Sequence, residues 1–265
     1  MMQRRRTTIE RDGVSLAVTE AGGSGPAVLL LHGLAGSSRE LMPTAEALAD
    51  RHRVLLLDQR GHGFSTRRPD DLSRDAFVAD AVAVIERLAP GERMALVGQS
   101  MGAHTAFLAA SHRPDLVSRL VMLEGHPAGS ADPQDAADLG AFFASWPIPF
   151  PDAAAARSFL GDSPLTEAWV ADLEQTPSGL RPRFDADVMQ AVIAAVHEPR
   201  WAEWENLAVP TTAVFADRGM FSPDQQAELA ARRPGTRILP LPDGSHDAHL
   251  DAFAAWVRAL RESLA

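Results

Sequence analysis

The sequence predicts an α/β fold: a mostly parallel, eight-stranded sheet with helices on both faces and a helical unit inserted late in the chain. Three observations carry this expectation. Apolar strand-like runs alternate with helical patches from residue 27 to residue 123, the rhythm of a parallel sheet. Ala27-Val28-Leu29-Leu30-Leu31 is apolar without interruption, as a strand covered on both faces requires. From about His126 to Asn206 the rhythm stops, and it resumes with Thr211 to Phe215.

The elements follow in order. Thr7 to Arg11 and Val14 to Glu20 flank Asp12-Gly13, a turn signal between short strands, and so form a hairpin at one sheet edge. Gly22-Gly23-Ser24-Gly25-Pro26 breaks the chain before Ala27. No helix follows these glycines directly, so they are turn residues and not a dinucleotide loop. His32 to Ser38 is a small-residue loop at the carboxyl end of the Ala27 strand, where ligands gather in open α/β sheets. A helix (Leu41 to Ala49), a strand (Val54 to Leu57), the loop Asp58 to Ser65 and a helix around Arg74 to Leu88 come next. The strand Met94 to Val97, the helix Met101 to Ser111 and the strand Leu120 to Leu123 complete the first half. Within the insertion, Ser163-Pro164 reads as an N-cap followed by proline at N1. Val188, Met189, Val192, Ile193 and Val196 repeat at helical spacing between Asp185 and His197. After Thr211 to Phe215 the pattern gives a helix from Pro223 to Ala231, a strand from Arg237 to Pro240 and a last helix from about Ala248 to Leu260. This divides the chain into a core, residues 1–125 and 207–265, and a helical cap, residues 126–206.

Composition bounds the function. A chain of 265 residues with 46% hydrophobic residues can bury one sizeable core. A formal charge of −10 argues against a nucleic-acid partner, and Arg4 to Arg6 is a short run best kept solvated. Cysteine is absent, which excludes a thiolate nucleophile, a disulfide framework and a thiolate metal site. The N-terminal residues contain no apolar h-region, and no run approaches membrane-spanning length, so a soluble cytoplasmic protein without a membrane partner is expected. Oligomeric state leaves no mark on the sequence.

The chemistry centres on Gly98-Gln99-Ser100-Met101-Gly102, where an apolar strand meets a helix through a glycine-flanked serine. In a G-x-S-x-G turn the glycines give room for strand and helix backbones to meet, and the serine stands exposed at the apex. The free N–H groups of the helix beginning at Met101 aim at the same point. His246 and His249 sit near Asp247 and Asp251, yet no third ligand comes at a recognised spacing and a metal would leave the serine turn unexplained. No metal and no cofactor is expected.

With these residues the chain resembles the α/β-hydrolase superfamily, in its cap-bearing, esterase-like branch. The resemblance covers nearly the whole chain: His32-Gly33 after the third strand, Asp58-x-Arg60-Gly61-x-Gly63-x-Ser65 after the fourth, the Gly98 to Gly102 elbow, and Gly244-Ser245-His246-Asp247 after the last. It implies Ser100 as nucleophile and His246 as general base, with an oxyanion hole from the backbone N–H groups of Leu34 and Met101. His32 is expected to brace its loop, Asp58 and Arg60 to form an ion pair, His62 to be exposed or at the pocket rim, and His249 to face core or solvent.

The third triad member departs from the family's pattern. Most relatives close a G-x-x-D segment after the seventh strand with an Asp, and here that slot holds Gly219. Some relatives carry the carboxylate after the sixth strand instead, where this chain has Glu124. Glu124 is therefore the expected acid, with Asp217, two places before the vacant slot, as the alternative.

The expected activity is hydrolysis of a carboxylic ester, lactone or thioester with apolar substituents, through an acyl-enzyme on Ser100. Carbon–carbon bond hydrolysis or acyl transfer with the same triad is the alternative within enzymes, and a catalytically silent small-ligand receptor the alternative outside them. The partner is a small, apolar, ester-like substrate. Phe142, Phe143, Trp146, Phe150, Phe159, Trp169, Met189 and Val192 of the cap are candidates to line its pocket.

Overall fold

In the computed structural model, which describes residues 4–130, 132 and 134–265, the chain enters the sheet as a hairpin. β1 (Arg5–Arg11) and β2 (Val14–Gly22) run antiparallel about Asp12 and Gly13, whose φ angles of 48° and 77° are those a two-residue hairpin turn demands. β3 (Ala27–Leu31), β4 (Arg53–Leu57), β5 (Met94–Gln99), β6 (Val117–Leu123), β9 (Thr211–Arg218) and β10 (Arg237–Ser245) follow. The sheet has eight strands in the order β1-β2-β4-β3-β5-β6-β9-β10, parallel from β4 onward. β10 runs to Ser245, well past the strand end expected at Pro240.

The apolar runs are explained by burial on two faces. Leu29, Leu31, Leu55, Leu57 and Leu96 point to one face, where α2 (Arg74–Leu88) and α3 (Met101–His112) cover them. Val28, Leu30, Val54, Leu56 and Val97 point to the other, against α1 (Met42–Leu48) and α11 (Phe253–Leu264). Each fully buried Leu or Val contributes about 1.5–3 kcal/mol, so a polar residue on either face of β3 would cost both packing and solvation. Side-chain caps fix where helices start. Ser73 Oγ accepts from Ala76 N–H at α2, and Ser222 with Gln225 forms a capping box at α9 (Pro223–Arg232).

Between β6 and β9 the chain forms α4 (Gln134–Ala144), α5 (Ala153–Leu160), α6 (Pro164–Asp172), α7 (Ala186–Val196) and α8 (Trp201–Glu205). Ser163 caps α6 as expected, its Oγ accepting from Thr166 N–H at 3.0 Å with Pro164 at the first turn. A wholly helical insertion is corrected by a hairpin of β7 (Glu174–Thr176) and β8 (Gly179–Arg181). Three residues per strand are too few to show a period of two in the sequence. Trp204 of α8 is fully buried in the core cluster under the sheet, donating from Nε1 to Leu229 O at 3.0 Å. Arg67, in the loop after β4, ties the insertion down: it donates to Asp185 (2.8 Å), Glu174 (2.9 Å) and the carbonyls of Pro182 and Phe184.

The loop after β4 is built differently from the ion pair expected between Asp58 and Arg60. Asp58 instead accepts from the N–H groups of Ser38 (2.6 Å) and Phe64 (2.9 Å) and from the Ser38 hydroxyl. Arg60, 2% exposed, makes two bonds to buried Asp80 at 2.6 and 2.7 Å. His62 is buried, against the exposed or rim position expected, and lies with its ring 5.1 Å from that of His32. Neighbour spacing could not reveal Asp80, because the pair spans 20 residues.

Asp80→Ala leaves the Arg60 guanidinium buried beside only the Asp71 carbonyl, and is expected to cost about 3–5 kcal/mol. Urea unfolding should show a lower midpoint at unchanged slope. Stability should also fall with acid. Burial holds His32, His52, His62, His104, His126 and His197 below the ordinary imidazole range, His62 down to about 3. A depressed folded pKa gives stability that is complete above about 6.5 and is lost as pH drops toward the folded value. Asp172, pushed up to about 6 by burial, and Asp247 act in the opposite sense, but are two groups against six. Unfolding free energy measured from pH 7 to 5 should therefore decline; a rise over that range contradicts the assignment.

Candidate active site

The site begins with the turn from β5 into α3. Ser100 occupies φ 51°, ψ −119°, a strained conformation that costs a non-glycine residue about 1–3 kcal/mol. Neighbouring backbone holds it there: Ser100 N–H donates to Leu123 O at 2.9 Å and Ser100 O accepts from His104 N–H at 3.1 Å. A Cβ on Gly98 would come within 2.2 Å of Gly102 O, and one on Gly102 within 2.1 Å of Leu31 O. The two glycines thus permit three backbones, β3, β5 and α3, to close on one point.

Glu124 follows β6 at φ 48° and is 1% exposed. Its carboxylate accepts from Ala216 N–H (Oε1, 2.8 Å) and Met220 N–H (Oε2, 2.7 Å), and Oε2 lies 3.4 Å from His246 Nδ1. A Cβ on Gly219 would sit 2.2 Å from Oε1 and 2.4 Å from Oε2. The slot where the resemblance leads to an Asp is therefore occupied in space by the Glu124 carboxylate, and only glycine fits beneath it. Asp217, near the end of β9, is exposed and does not border the cavity that Ser100, Glu124 and His246 line. His246, on the loop after β10, is a quarter exposed at its side chain, and Gln99 Nε2 donates to its carbonyl at 3.1 Å. Sequence reasoning missed Gln99, because the second position of a G-x-S-x-G turn carries no required chemistry. His249 turns away, buried, with Nε2 2.7 Å from Glu40.

The loop after β3 passes beside the serine. A Cβ on Gly33 would lie 3.5 Å from Ser100 Cβ, which brings the Leu34 backbone to this neighbourhood. His32 braces the loop: its Nε2 accepts from Gln59 N–H at 3.0 Å, which leaves Nδ1 as the protonated nitrogen donating to Gly33 O at 2.7 Å. Met101 borders the cavity at Ser100, whereas half-buried Leu34 packs toward the insertion.

A cavity of about 490 Å³ opens over Ser100, Glu124 and His246. Its apolar walls come from Met101, Leu139, Ile193, Val196, Met220 and Phe221, and polar side chains from His104, His126, His197, Asp135 and Asp138. The expected lining by Phe142, Phe143, Trp146, Phe159 and Met189 is corrected, since none of the five borders this cavity. Phe143, Trp146 and Met189 are buried with Phe150, Phe184 and Val192 in a cluster that also takes in Ala35, Phe77 and Met101 from outside the segment. The rings of Phe143, Trp146 and Phe184 stand 5.1 to 5.8 Å apart. Phe142 and Phe159 are 44% and 45% exposed. The buried large side chains seat the segment on the rest of the chain, and that packing uses them before a substrate pocket can. The inserted segment does wall the cavity, but through Leu139 of α4, Ile193 and Val196 of α7, and His197 just after α7.

Comparison with known proteins agrees with this architecture. The 2-(acetamidomethylene)succinate hydrolase of Mesorhizobium japonicum is 28% identical over 250 residues, covering 91% of this chain and 88% of that protein. The sn-1-specific diacylglycerol lipase ABHD11 of Mus musculus is 28% identical over 256 residues, 91% of this chain and 81% of the lipase. Among solved structures, E-2-(acetamidomethylene)succinate hydrolase matches with a TM-score of 0.90 at 22% identity over 99% of both chains. The thioesterase domain from the curacin biosynthetic pathway gives 0.81 at 23% identity over 98% of this chain and all of that one. A family model described as alpha/beta hydrolase fold matches residues 26–253, and the chain belongs to the α/β-hydrolase family.

Proposed function

We propose that this enzyme is a serine hydrolase that cleaves a carboxylic ester, lactone or thioester through an acyl-enzyme on Ser100. The observation that carries the reading is the convergence of Ser100, His246 and Glu124 on one cavity, with the serine on a strained elbow. Ser100 attacks the carbonyl while His246 Nε2 takes its proton; Glu124 accepts the Nδ1–H, sets the tautomer and stabilises the imidazolium. The 3.4 Å contact is long for a hydrogen bond, as is common before substrate draws the base forward. Backbone N–H groups of Met101 and Leu34 receive the charge of the tetrahedral intermediate. His246 then protonates the leaving group, and water repeats the sequence to free the acid. The segment between β6 and β9 acts as a lid, and its α4 and α7 side chains set the size of the acyl group accepted.

A fluorophosphonate should add one covalent phosphonyl group to the protein, read by mass, and Ser100→Ala should abolish the adduct; a folded wild-type protein that stays unlabelled defeats the reading. Short p-nitrophenyl esters should be turned over at rates that chelators leave unchanged. Gly219→Ala drives a methyl group into the Glu124 carboxylate and should lower kcat by about 10²-fold, the scale of an ångström's misplacement. Activity of Gly219→Ala equal to wild type would remove Glu124 from the mechanism.

A further inference from the structure

Of the cavity's polar side chains that the chemistry above leaves unused, His197 has one buried ring nitrogen without a partner and His104 has both. It lies one turn beyond Ser100 on α3, is 1% exposed and borders the cavity. Neither ring nitrogen has a hydrogen-bond partner among the described residues. An unpaired buried polar group costs about 1–3 kcal/mol, so the arrangement asks for an external partner. His126 borders the same cavity and has no such need. Its Nδ1 accepts from Ala128 N–H and its Nε2 donates to Gln225 O, both at 3.1 Å, and its ring stacks on Phe221.

Arg74, at the start of α2, lies near His104 without bordering the cavity. It is 4% exposed, donates from Nη2 to Thr105 Oγ1, and lies 4.5 Å over the Phe77 ring. Its Nε and Nη1 have no partner, and among the described residues no acid pairs with it. Its charge and that of Arg200 both act on His104; Arg200 itself is neutralised by Glu203. A buried cation without a counter-charge is costly, and an anion entering the cavity would supply the missing charge. The acids on the cavity wall do not fill that role. Glu124 is held by Ala216, Met220 and His246, while Asp135 and Asp138 are exposed on α4, bonded to Ser130 and Gln134.

We propose that the cavity takes substrates whose acyl part carries a second carboxylate, received by His104 with the Arg74 charge nearby. The inference rests on Ser100 being the nucleophile. Four residues along a helix rise about 6 Å, and helical side chains lean toward the N-terminus, so an acyl chain of a few carbons on Ser100 reaches His104. The leaving group departs on the side of His246, which returns its proton, and the acyl group stays with α3.

The test compares p-nitrophenyl hemisuccinate and hemiglutarate with p-nitrophenyl valerate, a neutral ester of similar length. Wild type should favour an acidic ester by about 10-fold or more in kcat/KM, the scale of one charge-assisted hydrogen bond. His104→Leu should lower that ratio by about 10-fold, chiefly through KM for the acidic ester, and His104→Gln, which keeps a donor, should retain part of it. Free glutarate should inhibit wild-type valerate turnover competitively, which needs no variant. A wild type that prefers valerate and ignores glutarate, or a ratio that His104→Leu leaves unchanged, overturns the inference. If the fluorophosphonate labels Ser100 in that same preparation, the carboxylate preference alone has failed. If neither labelling nor turnover occurs, the serine hydrolase reading has failed and takes this one with it.

Discussion

The Glu124 carboxylate ties the ends of three strands together. It leaves β6 on a backbone at φ 48°, accepts N–H bonds from Ala216 of β9 and from Met220 just beyond it, and reaches the histidine that follows β10. Two amide donors and one imidazole satisfy a charge that is otherwise fully removed from water, where an isolated carboxylate would be strongly disfavoured. The same contacts force glycine at 219, because a β-carbon there would overlap both oxygens. The backbone departs from ordinary conformations on both sides of the site, at Ser100 and at Glu124. Adjacent strands support both, through Ser100 N–H to Leu123 O and Glu124 N–H to Val214 O. Local strain is thereby borne by the sheet.

The site therefore depends on strand order as much as on motif. β5, β6, β9 and β10 are consecutive in the sheet, so serine, acid and histidine arrive from neighbouring carboxyl ends although they span residues 100 to 246. A carboxylate after β6 can stand in for one after β9 because the two strands are paired, Leu123 opposite Val214. Gln99 extends this economy: one buried side chain holds the His246 carbonyl from the strand that carries the serine.

Much of this was legible in the sequence, for reasons that can be stated. Strands buried on both faces write themselves as apolar runs, as Ala27 to Leu31 does between Gly25-Pro26 and His32-Gly33. Asp12-Gly13 and Ser163-Pro164 are local signals whose partners lie within four residues. Gly219 was legible as a vacancy, and the vacancy pointed to Glu124. What failed was whatever depends on distant partners. Arg60 looked paired with Asp58 because they are neighbours in sequence, while its partner Asp80 sits on a helix that only the fold brings near. The aromatic residues of the insertion looked like pocket walls because size and apolarity suit both a core and a pocket. Phe143, Trp146 and Met189 instead pack the segment onto Ala35, Phe77 and Met101. His104 gave no signal at all, since a histidine inside an apolar helix reads as packing until its nitrogens are seen to lack partners.

The central claim is that Glu124 orients His246. It is tested most directly by kcat for a short p-nitrophenyl ester in Glu124→Gln and Asp217→Asn, each compared with wild type. Glutamine keeps the shape but can turn an N–H toward Nδ1, favouring the wrong tautomer, so kcat should fall on the order of 10³–10⁴-fold with the fold preserved. Asp217→Asn alters an exposed side chain and should stay within about threefold of wild type. A large loss in Asp217→Asn beside near-normal turnover in Glu124→Gln would contradict the account.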